Sequence, residues 1–357
     1  MKKIAFTGGG SAGHVIPNVA LMEELFSGGP YDVCYIGTDG IEKQIISKGN
    51  IPYYQIECPK LIRGVSWTAL KNNVKIPVRF FRAVRQAKQG LRAFRPDVLF
   101  SKGGYVALPV VLAAKLLKIP CFAHESDFSL GLANKLSAPF CQAVFTSFPE
   151  TAKHCKKGVY SGAPLRRSVL ACSKAQARRS LGLPFHAKTV LVFGGGSGSK
   201  AINAALRTHL KTLCEKYTIL HVCGKGNVVD STVKNYYQFE FIADMGAMYA
   251  AADVVVSRAG SGTVFEILAL KKPSILVPLE GQTRGDQAEN AAYFERKGLC
   301  RVLAQTRLDE LPQTIEKTFG DERLFERLRL SSFTSGNTAI LRRLCESVNQ
   351  NDGVNGK

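Results

Sequence analysis

The sequence predicts an α/β protein of two tandem Rossmann-like domains, each a parallel sheet covered by helices, facing each other across a deep cleft. Three observations carry this expectation. Short β-branched apolar runs alternate with stretches of 3.6-residue periodicity from end to end, the pattern of βαβ units. The scheme pauses at Ser161–Pro164 and starts again at Thr189. Finally, "FTGGGSAGHVIPNVAL" at Phe6–Leu21 is answered by "FGGGSGSKAINAAL" at Phe193–Leu206, so strand, glycine turn and helix recur once. A chain of 357 residues also exceeds the length at which a single core stops growing.

In the first half, strands are expected at Ile4–Thr7, Val33–Gly37, Tyr53–Glu57, Val98–Ser101, Cys121–His124, Val144–Ser147 and Val159–Ser161. Val19–Leu25 and Ala107–Leu117 have helical periodicity. Arg166–Leu183 reads as polar and helical. Further strands are expected at Thr189–Phe193, Thr218–Val222, Phe239–Ile242, Asp253–Ser257, Ser274–Pro278 and Arg301–Ala304. The expected domains are 1–163 and 164–345, with the final helix packing back on the first and 346–357 a disordered tail.

Lys and Arg number 48 against 28 Asp and Glu, a net charge of +20, which favours an anionic partner. No run of about 18 apolar residues is present, so no transmembrane helix is expected. The apolar part of MKKIAFTGGG is too short for a signal peptide. Ten scattered cysteines without a C-x-x-C pair read as reduced thiols of a cytosolic protein, not as a zinc site or disulfide framework.

Five stretches can carry chemistry. Gly8-x-Gly10-x-x-Gly13 fits a dinucleotide loop, with Asp39 placed as its ribose acid; it also fits an anion site or a plain tight turn. Neither glycine loop has the G-K-[ST] ending of a P-loop. His14, next to the last glycine, suits proton abstraction at neutral pH or a hydrogen bond at the helix start. Ser261–Val264 offer N–H groups to a diphosphate. Glu266 either closes a capping box with Thr263 or accepts two ribose hydroxyls. In "EGQTRGDQAEN" (280–290), the amides of Gln287 and Asn290 suit sugar hydroxyls.

The fifth stretch, Cys58–Pro96, holds ten Lys or Arg and no acid. Arg79, Arg82 and Arg85 alternate there with Val74, Phe80 and Phe81, near Lys75 and Trp67, as on an interfacial membrane helix. No nucleic-acid-binding module is recognisable.

Seven strings in order and spacing, GGGSAGH, SKGGYVALPVVLAAK, HESDFSLGLANK, GAPLR, GGGSGS, SRAGSGTVFE and GDQAENA, resemble the MurG family from residue 1 to about 345. That family comprises the UDP-N-acetylglucosamine:lipid I N-acetylglucosaminyltransferases of peptidoglycan synthesis. The resemblance implies a GT-B fold and inverting transfer of N-acetylglucosamine to the 4-hydroxyl of the lipid-linked acceptor, with no cofactor and no metal. It implies that Ser261, Gly262, Thr263, Val264, Phe265 and Glu266 hold the uridine diphosphate, with Glu266 on the ribose. Ile242 would meet uracil, Gln287 and Asn290 the sugar, and Arg166 the diphosphate. Ser11, Ala12 and Gly13 would close over the reaction centre, with His14 as base. The basic patch would then face the anionic cytoplasmic leaflet, where lipid I is presented.

The chain departs from the family pattern in three places. Ala12 adds a methyl to a turn that is GGTGGH in many members. Gly196 aligns with the family's serine, leaving Ser197 one place later. Asp127 puts a carboxylate where many members carry HEQN, in a loop expected to meet the donor sugar. The rival readings are an NAD-dependent oxidoreductase on tandem Rossmann domains, another UDP-sugar glycosyltransferase, and a non-catalytic sugar-nucleotide binder.

Overall fold

The computed structural model describes residues 2–59, 76–243, 245–281 and 285–354, excluding the side chains of 350–354. The chain forms two compact units, Met1–Leu165 with Ser335–Lys357, and Arg166–Thr334. The first holds β1 (Lys2–Thr7), β2 (Tyr31–Gly37), β3 (Tyr53–Gln55), β4 (Val98–Ser101), β5 (Cys121–Glu125), β6 (Ala143–Thr146) and β7 (Gly158–Tyr160). All pair in parallel, in the order β3-β2-β1-β4-β5-β6-β7.

Both faces of this sheet are covered, which is why its strands read as unbroken apolar runs. Ile4, Phe6, Val98 and Phe100 point to one side, against Leu21, Met22 and Leu25 of α1 (Ile16–Gly28). The C-terminal helix Asn337–Val354 adds Ile340, Leu344 and Val348 to the same cluster. It runs on past residue 346, where a disordered tail was expected. Ala5, Leu99 and Ala123 point to the other side, against Val84, Ala87 and Leu91 of one helix and Val110, Ala113 and Ala114 of the next.

The second unit repeats the plan with β8 (Thr189–Phe193), β9 (Thr218–Val222), β10 (Tyr236–Phe239), β11 (Val254–Ser257), β12 (Ser274–Leu276) and β13 (Arg301–Val302). Their order is β10-β9-β8-β11-β12-β13, again all parallel. In each sheet the order reverses beside the first strand, between β1 and β4 and between β8 and β11. Ligands of doubly wound sheets bind at the carboxyl ends of strands at that point.

Two expectations shift. The strand expected at Phe239–Ile242 lies at Tyr236–Phe239, because Tyr236 pairs with Ile219 and its hydroxyl meets His221 Nδ1 at 2.7 Å. Ile242 is therefore in the loop beyond the strand. The helical stretch expected at Arg166–Leu183 is broken into two helices, Arg167–Ala171 and Lys174–Ser180. Cys172 and Ser173 are extended, and the Ser173 hydroxyl accepts from Gln176 N at 3.3 Å, capping a new helix.

His221 is fully buried in β9. Asn203 donates through Nδ2 to the Cys223 carbonyl at 2.8 Å, so its Oδ1 accepts from His221 Nε2 at 3.0 Å. His221 Nδ1 then accepts from Tyr236. Burial, with Arg207 nearby, holds this imidazole down at about 4. A depressed base is fully stabilising above its unfolded value near 6.5 and loses that contribution as pH falls toward 4, about 3 kcal/mol in total. Denaturation at stepped pH is expected to show this loss between pH 6.5 and 4, flattened in His221→Gln. An equal slope in that variant would assign the loss to other groups.

Candidate active site

In the first unit the chain leaves β1 through Gly8, Gly9 and Gly10, the last at φ 86°. A single 3-10 turn, Ala12–His14, follows before α1 begins at Ile16. Ser11 and Gly13 are exposed; Ala12 and His14 are half-buried. The loop after β4 closes on this one. Gly104 sits at φ 79°, and a side chain there would meet the Gly9 carbonyl at 2.2 Å and His14 Cδ2 at 3.0 Å. Glycine at 104 thus makes room for the imidazole at the switch point.

The dinucleotide reading fails here on geometry. Glu42, fully buried on the short helix Ile41–Ile46, accepts from Gly10 N at 3.2 Å and Thr38 N at 3.0 Å, and from the Thr38 hydroxyl. An internal carboxylate thus holds the loop N–H that a dinucleotide phosphate needs. Asp39, the supposed ribose acid, is an exposed partner of Lys43 at 2.8 Å.

At the ends of β4 and β5, Lys102, His124 and Glu125 are all buried. Glu125 accepts from Asp127 N at 3.1 Å, Gly131 N at 2.8 Å and Asn134 Nδ2 at 2.9 Å, and so fixes the loop between them. Burial pushes the Glu125 carboxyl up and Asp127 adds to this, while Lys102 pulls it back. Burial lowers the Lys102 ammonium, against Glu125 and Asp127. Asp127 therefore belongs to a charged cluster of the first unit.

In the second unit β8 runs into Gly194–Gly198. The Ser199 hydroxyl then accepts from Ile202 N at 3.4 Å and caps the helix Lys200–Thr208. Gly196 and Ser197 are exposed at the loop tip, and a side chain at Gly196 would meet nothing within 4 Å. The family's serine could stand there without a clash.

After β11, Gly260 precedes the helix Ser261–Ala269, whose first N–H groups have no partner within the helix. Side chains at Gly260 and Gly262 would meet only open space. Val264 and Phe265 are buried, the Phe265 ring edge-on to Phe294 at 5.5 Å. The capping-box reading of Thr263 and Glu266 is overturned, because the helix starts earlier, with Gly260 as its cap. The Glu266 carboxylate instead accepts from Arg166 Nη2 at 3.3 Å and from the Tyr249 hydroxyl at 3.0 Å. Burial pushes its carboxyl up; Arg166 and Tyr249 pull it down.

Gln287 Oε1 accepts from Leu279 N at 3.0 Å, which turns its amide nitrogen to other partners. Asn290 is fully buried, its Nδ2 donating to the Ala259 carbonyl at 3.3 Å. It braces the loop ahead of Ser261 from behind. Residues 282–284, inside the polar loop, lie outside the described residues.

Sequence reasoning missed Arg258. Its guanidinium donates to Ser199 Oγ at 2.8 Å, Gln305 Oε1 at 2.6 Å, and the Val277 and Pro278 carbonyls, both at 3.2 Å. One fork thus ties the second glycine loop to the ends of the neighbouring strands. A charge ending a buried strand was the only sequence signal. Among the described residues, no group of three or more His, Cys, Asp or Glu is placed to hold a metal ion.

The basic helix Ile76–Phe94 buries Ala83, Val84, Ala87, Leu91 and Phe94. Phe80 packs toward that core, whereas Phe81 is 68% exposed beside exposed Arg79, Arg82 and Arg85. Trp67, Val74 and Lys75 lie outside the described residues. Among those described, no helix is long and apolar enough to cross a membrane.

Residues 4–146 match the glycosyltransferase family 28 N-terminal domain and residues 189–338 its C-terminal domain. A Clostridium botulinum (strain Langeland) protein is 44% identical over 317 residues, 87% of this chain and 88% of its own. A Clostridium perfringens (ATCC 13124) protein is 41% identical over 352 residues, 95% and 96% of the two chains. Both are named UDP-N-acetylglucosamine–N-acetylmuramyl-(pentapeptide) pyrophosphoryl-undecaprenol N-acetylglucosamine transferase. The crystal structure of Acinetobacter baumannii MurG superimposes with TM-score 0.75 at 25% identity, covering 97% of this chain and all of that one. A Neisseria meningitidis UDP-GlcNAc 2-epimerase bound to UDP-GlcNAc shares the fold, with TM-score 0.67 at 15% identity over 97% of this chain and all of that one.

Proposed function

Because the chain belongs to glycosyltransferase family 28, we propose that it transfers N-acetylglucosamine from UDP-GlcNAc to the 4-hydroxyl of the muramoyl unit of undecaprenyl-diphosphate-linked lipid I. The observation that carries this is the 41% identity along nearly the whole chain to a relative named for that reaction.

His14, turned over Gly104 at the first switch point, is the group that takes the proton from the attacking hydroxyl. The anomeric carbon inverts and UDP leaves. Its growing negative charge is met by the free N–H groups of Ser261, Gly262 and Thr263 and by the Arg166 guanidinium. The helix dipole contributes about 0.3–1 kcal/mol. Val264 and Phe265, being buried, shape that helix from within. Glu266 takes the ribose hydroxyls, the Ile242 backbone meets uracil, and Gln287 presents its amide nitrogen to the sugar. Asn290 acts through the Ala259 loop. Ser11, Ala12 and Gly13 serve the acceptor, and Gly196 and Ser197 supply an open loop tip for the diphosphate.

Calorimetric titration in EDTA tests the donor assignment. UDP-GlcNAc is expected to bind saturably and compete with UDP, and NADH to give no heat. Binding of NADH alone would overturn it.

Phe81 with Arg79, Arg82 and Arg85 forms the surface that meets an anionic leaflet on its cytoplasmic face. At about 1 kcal/mol per cation, neutralising all three arginines is expected to weaken binding to anionic vesicles by about 10²-fold. The salt dependence should flatten as well. Unchanged vesicle sedimentation would make this helix ordinary surface.

A further inference from the structure

We propose that Tyr249 is a positioning residue of the donor site, holding the Glu266 carboxylate in the orientation that accepts the ribose hydroxyls. This rests on the assignment of Glu266 to the ribose.

The Tyr249 ring is itself immobilised. It is 1% exposed on the helix Gly246–Ala251 and stands edge-on to Phe193 at 5.9 Å. Phe193 ends β8 at the root of the second glycine loop, so the hydroxyl position is set by core packing. That hydroxyl donates to Glu266 Oε2 at 3.0 Å, while Arg166 Nη2 donates to Oε1 at 3.3 Å. A carboxylate oxygen has two lone pairs. One donor on each oxygen fixes the plane of the group and leaves one acceptor site on each. Two free acceptor sites side by side match the adjacent hydroxyls of a ribose. Being buried, Tyr249 acts on a ligand only through Glu266. Its contact is the shorter of the two and comes from a rigid aromatic, whereas Arg166 reaches over on a flexible chain.

The test is Tyr249→Phe in the full chain, which keeps the ring and its packing, so the variant is expected to fold with its melting temperature lowered by only a few degrees. A carboxylate no longer held in the ribose-accepting orientation is expected to raise the KM for UDP-GlcNAc about tenfold, with kcat within about twofold. Calorimetric Kd for UDP should rise in parallel. In a Glu266→Ala background the same change should cost less than about twofold, because its effect runs through the carboxylate. An unchanged KM in Tyr249→Phe, or an equal loss in the Glu266→Ala background, would overturn the proposal. Donors with 2′-deoxy- or 3′-deoxyuridine separate it from the parent assignment. If wild type binds both as tightly as UDP-GlcNAc, Glu266 does not read the ribose, and the ribose assignment falls whatever Tyr249→Phe does.

Discussion

His14→Ala is expected to lower kcat by about 10²–10⁴-fold, the range of a lost general base, while the Kd for UDP-GlcNAc stays within about twofold. The asymmetry follows from placement. His14 lies on the turn after β1 in the first unit, whereas Glu266, Arg166 and the Ser261 helix start all belong to the second. The proposed donor contacts do not include the imidazole. The ring is lodged over Gly104, so its removal leaves space without a clash. Single-turnover transfer with saturating acceptor separates the chemical step from product release. A kcat within about fivefold of wild type would remove His14 as the base.

The second large effect is on the donor side. Glu266→Ala is expected to raise the donor KM about 10²-fold with kcat much less affected. Two hydroxyl bonds to a carboxylate at about 1.5 kcal/mol each amount to about 3 kcal/mol. The side chain is 13% exposed and its partner Arg166 18%, so alanine also strands a largely buried guanidinium. Some loss of thermal stability accompanies the kinetic effect. Wild-type donor affinity in this variant would remove the ribose role.

The sheets and their switch points were legible because their signals are local. Glycine runs at the ends of apolar strands mark sharp exits, and both loops lie where the strand order reverses. The edge strand β10 was misplaced because its half-buried residues carry no strong alternation. Its register is set by pairing with β9, where the Tyr236 hydroxyl meets His221. The break at Cys172 and Ser173 needed a capping hydroxyl to be recognised inside a polar helical run.

The site was legible as a set of motifs but not as a network. Glu42 neutralises the first loop's N–H from 32 positions away. Arg258 gathers four groups from three segments that meet only in the fold. Asn290 has the same side chain as a sugar-reading amide, but tertiary packing turns it inward to Ala259. Such assignments depend on burial and partner identity, which periodicity does not contain.

Transfer itself is the most direct test of the central claim. The purified chain is incubated with UDP-GlcNAc labelled in the sugar and with undecaprenyl-diphospho-muramoylpentapeptide in detergent or vesicles, and the extracted lipid is counted against UDP released. One labelled N-acetylglucosamine per acceptor is expected, matched by one UDP, with no incorporation when the acceptor's 4-hydroxyl is blocked. UDP release without label in the lipid, or label unaffected by the block, would contradict the claim.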